Sequence, residues 1–199
     1  LRADWGFSCL VEAAGKRLLF DTGASGPILF SNMEKLGVEI GTIDGIFISH
    51  AHFDHTGGLL DILAVHSAPV YVPRCIAIPP TLQGIEAIGE PREIHPGLFS
   101  TGEIGGVEQA LAVGRGEELV VIVGCSHPGV GNILRRASVL GRPVGLIGGL
   151  HGFAEFDLIE DLDLICPTHC TFYKKEIIRT FPEKTVSGGV GRIIEIPDR

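Results

Sequence analysis

No apolar run in this 199-residue chain approaches the roughly 20 residues that a membrane-spanning helix requires. No signal-peptide pattern opens it, and it begins at Leu1 without a methionine. Basic residues do not outnumber acidic ones: 16 Lys and Arg stand against 24 Asp and Glu, a formal net charge of -8. That balance argues against general nucleic-acid binding, which wants a basic face. A small phosphorylated ligand stays compatible with it, because bound metal would supply local positive charge. The five cysteines, Cys9, Cys75, Cys125, Cys166 and Cys170, are odd in number and lack the spacing of a disulfide framework. A reducing cytoplasm is therefore the expected compartment. Neither a linker nor a second domain can be read, so residues 1–199 are expected to form one domain.

What is there describes a globular chain: 45% of residues are apolar and 20% charged. Twenty-eight glycines fit many tight turns between short strands and helices. Strand-like runs cover Phe7–Glu12, Arg17–Phe20, Ile43–Ser49, Pro69–Val72, Leu98–Ile104, Val107–Val113, Leu119–Val123, Pro143–Ile147, Leu164–Cys166 and Arg192–Ile196. Helical spacing covers Pro27–Leu36, a short run from Thr56-Gly57-Gly58 to Leu63, a stripe from Val130 through Leu140, and Lys174–Phe181. Arg74–Glu93, rich in Pro and Gly, shows only weak periodicity. Periodicity alone gives an α/β or α+β fold.

The densest chemistry is Ser49-His50-Ala51-His52-Phe53-Asp54-His55-Thr56-Gly57-Gly58, directly after the apolar Ile46-Phe47-Ile48. Three histidines and an aspartate within six residues, at a strand end, suit divalent zinc, manganese or iron. Two further strand-like runs end in Cys125-Ser126-His127 and in Cys166-Pro167-Thr168-His169-Cys170.

The His-x-His-x-Asp-His pattern, with Asp21, His127 and His169 in the same order, resembles the metallo-β-lactamase superfamily from Trp5 to Ile196. That resemblance implies an αββα four-layer sandwich, with one more strand in some relatives upstream of where this chain starts. It implies one or two divalent metal ions, zinc foremost, with manganese, iron or magnesium as other candidates. His50, His52 and His127 would hold one ion, and Asp54, His55 and His169 the other. Asp21 would hold the metal loop by hydrogen bonds. A water or hydroxide shared between the ions would be the nucleophile, with Asp54 orienting it.

One departure is visible: where many members carry a bridging aspartate, this chain has Gly148-Gly149-Leu150-His151. Asp157, Asp161 and Asp163 come later, in a stretch that reads as a solvated helix and a turn. His151 is then expected in the site, as a metal ligand or as a catalytic proton donor beside Asp54. Several runs, among them Gly124-Cys125-Ser126-His127-Pro128-Gly129 and His169-Cys170-Thr171, look like the branch containing dihydropterin ribofuranosylaminobenzene 5'-phosphate synthases. Phe172 stands where that branch usually has glycine. The leading expectation is a metal-dependent hydrolase of a small substrate, phosphorylated ones included. The alternatives are a synthase-like transferase and a non-hydrolytic di-iron redox or sensor protein. No nucleic-acid or membrane partner is expected. His66 and His95 read as structural; Cys125, Cys166 and Cys170 read as small buried residues, with a redox or thiolate-ligand role as the alternative; and Ser187–Gly191 reads as a turn rather than a backbone phosphate site, since no helix follows it.

Overall fold

The computed structural model describes residues 1–78 and 83–196. Strands β1 (Cys9–Ala13) and β2 (Lys16–Phe20) form an antiparallel hairpin, and β3 (Gly45–Phe47), β4 (Val70–Pro73) and β5 (Ile85–Ile88) extend it in parallel. The second sheet runs β11-β10-β9-β8-β7-β6. Its strands β6 (Arg92–His95), β7 (Leu98–Ser100), β8 (Leu111–Arg115) and β9 (Glu118–Val123) are antiparallel neighbours. Strands β9, β10 (Arg142–Gly149) and β11 (Leu164–Thr168) run parallel.

Alternation along the strands creates three cores and hence four layers. Leu18 and Phe20 of β2 point inward with Phe47, Tyr71 and Ile88, and meet Leu98, Leu111 and Ile122 of the other sheet. The intervening Leu19 points outward and packs with Ile46, Val70 and Val72 against Met33 and Ile62. Those two come from α1 (Gly26–Leu36) and α3 (Leu59–Val65). On the far side, Val121, Val123, Leu146 and Ile165 pack against α4 (Val130–Ala137) and α5 (Lys174–Thr180) through Ile133, Ala137 and Ile177. Successive residues of one strand thus serve two different cores, the period of two that a pleated strand imposes. Each such fully buried aliphatic or aromatic side chain contributes about 1.5–3 kcal/mol.

Helix α1 begins with Pro27 in its first turn and ends where Gly37 takes φ 69°. The expected helix after the metal motif is two pieces, α2 (Phe53–Thr56) and α3. They part at Gly57, where an added Cβ would fall 2.3 Å from the Ala24 carbonyl oxygen. The expected Leu98–Ile104 strand stops at Ser100, and the Val107–Val113 strand starts only at Leu111. Between them the chain loops, closed by an Ile104–Glu108 bridge. The Arg74–Glu93 stretch contains β5 and the start of β6, and its residues 79–82 lie outside the described residues. Arg192–Ile196 is not a strand. Beside β11 run instead Thr185 and Val186, bridged to Ile165. Among the described residues no helix is long and apolar enough to cross a membrane.

Candidate metal centre

The ligand-type side chains that converge leave from the ends of strands. Asp21 follows β2, Ser49 to His55 follow β3, and His127, His151 and His169 follow β9, β10 and β11. Turning sharply there forces side-chain-bearing residues into left-handed backbone: Asp21 (φ 54°), Ser126 (61°), His151 (46°) and His169 (47°). Each such residue costs about 1–2 kcal/mol relative to right-handed backbone, and strain of this sort gathers where side-chain direction matters.

Two groups of donor atoms converge. His50 Nε2 and His127 Nε2 lie 3.1 and 3.2 Å from His52 Nδ1. His55 Nε2 and Asp54 Oδ2 lie 3.2 and 3.3 Å from His169 Nε2, and 3.7 Å from each other. Ring nitrogens gathered at such spacing are what a shared cation would want: ligands 2.0–2.1 Å from a tetrahedral centre stand about 3.3 Å apart. His50–His52–His127 and Asp54–His55–His169 could each hold a metal ion.

A buried carboxylate sets which nitrogens face inward. Asp21, fully buried, accepts from the Ser49 backbone N–H (2.7 Å), from the Ser49 hydroxyl (2.7 Å) and from His55 Nδ1 (2.6 Å). Since a carboxylate only accepts, the Ser49 hydroxyl proton points at Asp21, and its oxygen accepts from His50 Nδ1 at 2.9 Å. One carboxylate therefore assigns both tautomers, leaving the Nε2 lone pairs of His50 and His55 toward the site. Burial pushes the Asp21 carboxyl up, and the hydrogen bonds from His55 and Ser49 oppose that shift. Burial and the neighbouring imidazoles push His50 down to about 2. Burial, then His55, brings His169 down to about 4, and burial also lowers His127. Rings held neutral keep their lone pairs for a cation.

Glu108, absent from the sequence expectations, supports the third motif. Its Oε1 accepts from the backbone N–H groups of Gly124, Cys125 and Ser126, and its Oε2 from that of His127. The visible signal was the one charge, beside the polar Gln109, inside the strand-like run Val107–Val113. Ser49 was likewise passed over except as part of the motif.

His151 stands beside His127, ring centroids 4.8 Å apart, and its Nδ1 is buried without a hydrogen-bond partner among the described residues. Asp157, Asp161 and Asp163 are exposed, on and after the 3-10 turn Phe156–Ile159. His66 Nε2 meets the Ile43 carbonyl, and His95 meets the Tyr71 hydroxyl. Cys125 and Cys170 are buried within the site, Sγ atoms 3.3 Å apart. Exposed aromatics flank the histidines. Trp5 lies 5.1 Å from His169 and Phe172 5.5 Å from His151, while Phe53 follows His52 in the chain.

The sequence model described as "Metallo-beta-lactamase superfamily" matches residues 6–134. The 7,8-dihydropterin-6-methyl-4-(beta-D-ribofuranosyl)-aminobenzene-5'-phosphate synthase of Methanocaldococcus jannaschii is 27% identical over 263 residues, covering 96% of this chain and 89% of that protein. An uncharacterized protein of the same organism, MJ0448, is 26% identical over 242 residues, covering 98% and 94%. Among solved structures, Tm1679, titled a metal-dependent hydrolase of the beta-lactamase superfamily, superposes with a TM-score of 0.75 at 24% identity, covering 99% of this chain and 94% of that one.

Proposed function

Because the chain belongs to the metallo-beta-lactamase superfamily, we propose that it is a metal-dependent hydrolase acting on a small, phosphorylated substrate. We read residues 1–199 as a single domain carrying this one site. The observation that carries the reading is the facing pair of donor groups, His50–His52–His127 and Asp54–His55–His169. Divalent ions, zinc foremost, would supply acidified water at neutral pH and positive charge for an anionic substrate group.

The chain's own residues do the rest. Asp21, through Ser49 for His50 and directly for His55, keeps both rings in the tautomers that present Nε2. Glu108 holds the loop that carries His127 in place through four backbone bonds. Asp54, whose Oδ2 faces both His55 and His169, orients the attacking water. His151, with a ring nitrogen within 4.8 Å of a His127 nitrogen, delivers the proton to the leaving group. Trp5, Phe53 and Phe172, all exposed, offer faces on which a planar ring of the substrate stacks. Five unpaired cysteines suit a cytoplasmic setting.

A second reading, a transferase that joins a pterin to a ribosylated aminobenzene phosphate, is favoured by the near full-length similarity to the synthase. The same aromatic faces would suit a pterin. The test is to load the protein with zinc or manganese and follow release of alcohol from aryl phosphomonoesters and phosphodiesters. In parallel, a 7,8-dihydropterin carrying a diphosphate leaving group on its 6-methyl carbon is incubated with it and ribofuranosylaminobenzene 5'-phosphate, and mass spectrometry follows joined product and released diphosphate. Metal-dependent ester cleavage abolished by Asp54→Asn supports the hydrolase. A joined product without ester cleavage rejects it in favour of the transferase.

A further inference from the structure

Between the two donor groups lies a side chain that neither includes. The Cys125 sulfur is 3.3 Å from His55 Nε2. A ring nitrogen of each of His50, His55, His127 and His169 lies within 4.8 Å of that sulfur. Two of those rings come from each group, so Cys125 reaches both. A thiol that merely filled space would lie among apolar side chains; this one is buried, at 3% exposure, among imidazoles.

Its position is fixed from several sides. The Cys125 backbone N–H donates to Glu108 Oε1 at 3.0 Å, and the left-handed turn at Ser126 follows immediately. The Cys170 thiol donates to the Cys125 sulfur at 3.3 Å. Cys170 is itself confined, since a Cβ on Gly149 would fall 2.7 Å from its sulfur. Meanwhile the end of β10, Gly148-Gly149-Leu150-His151, offers no carboxylate, and Asp157, Asp161 and Asp163 are exposed.

We propose that Cys125 is a metal ligand lying between the two donor groups, its thiolate serving in place of a bridging carboxylate. This rests on the metal-binding reading above. On coordination the S–H bond breaks, the proton leaves to solvent, and a sulfur lone pair goes to the ion; no electrons are gained or lost. The Cys170 S–H then donates to a thiolate, a stronger acceptor than a thiol. A sulfur donor at this point also narrows the metal. Thiolate with imidazole suits zinc, iron or cobalt, whereas magnesium and calcium take oxygen ligands.

Cobalt(II) is the probe, added to the purified metal-free chain. The wild-type protein should retain cobalt through gel filtration and show a near-ultraviolet thiolate-to-cobalt charge-transfer absorption. Cys125→Ser should lose that absorption, and Cys170→Ser should keep it. Should Cys125→Ser not fold, a variant with Cys9, Cys75, Cys166 and Cys170 all changed to serine leaves Cys125 as the sole thiol and must keep the band. Cobalt retained with no thiolate band in the wild type overturns the assignment while leaving the metal site standing. So does a band that survives in Cys125→Ser or vanishes in Cys170→Ser. No cobalt retained at all refutes the metal-binding reading itself.

Discussion

Ser49→Ala is the most economical test of how the histidines are aimed. The residue is fully buried, and its hydroxyl links Asp21 to His50, 2.7 Å from one and 2.9 Å from the other. Alanine keeps the backbone N–H that bonds Asp21 Oδ1 and removes only the relay. The Asp21 carboxylate then loses one charge-assisted bond and a buried His50 N–H loses its acceptor, together about 2–3 kcal/mol. Without that acceptor the His50 tautomer is no longer assigned, and loss of such an orienting partner lowers metal affinity about 10–100-fold. The His55 tautomer should survive, because its own bond to Asp21 is direct. Urea unfolding of the metal-free protein reads the first effect, and competition with a chelator for zinc reads the second. A folded Ser49→Ala protein that binds zinc as tightly as the wild type would refute the relay.

Gly124→Ala should reproduce the Ser49→Ala affinity loss, since its Cβ would fall 2.2 Å from the Ser49 hydroxyl oxygen; chelator competition reads it. Asp54→Asn keeps size and removes charge, so kcat on any hydrolysed ester should fall about 100-fold or more, with circular dichroism unchanged. Phe172→Ala, at a position 72% exposed, should leave stability within about 0.5 kcal/mol. Its KM for a ring-bearing substrate should rise about 2–10-fold through lost stacking. Although the Asp21 carboxylate holds His55 above its ordinary value against the lowering effect of burial, the metal-free protein should lose stability as pH falls below the ordinary histidine value of 6.5, through His169 down to about 4 and through His50 further. Their folded-state values are depressed, so the unfolded chain takes up more protons across that window; urea midpoints at pH 5 and pH 7 decide it.

The parts of this architecture that were legible share one property: their signal is local. The apolar run before His50, the glycines after His55 and the stripe through Val130, Ile133 and Ala137 each lie within a dozen residues. Periodicity reported them faithfully, and their edges less so. The run Arg192–Ile196 has the composition of a strand, yet strand formation needs an edge to pair with, and beside β11 run Thr185 and Val186 instead. Glu108 failed for the opposite reason. Its partners lie 16 to 19 residues away in sequence, and a lone charge inside a strand-like run looks like a surface position until the loop folds over it.

By itself, then, the sequence determined which ligand-type residues are available and that they follow strand-like runs, because these readings need only side-chain chemistry and local periodicity. Only the tertiary structure decided that Asp21 orients His55 directly and His50 through Ser49, that Glu108 clamps the His127 loop, and that Cys125 lies within reach of both donor groups. Those relations join residues far apart in the chain, and side-chain direction at a left-handed turn is set by what packs around it.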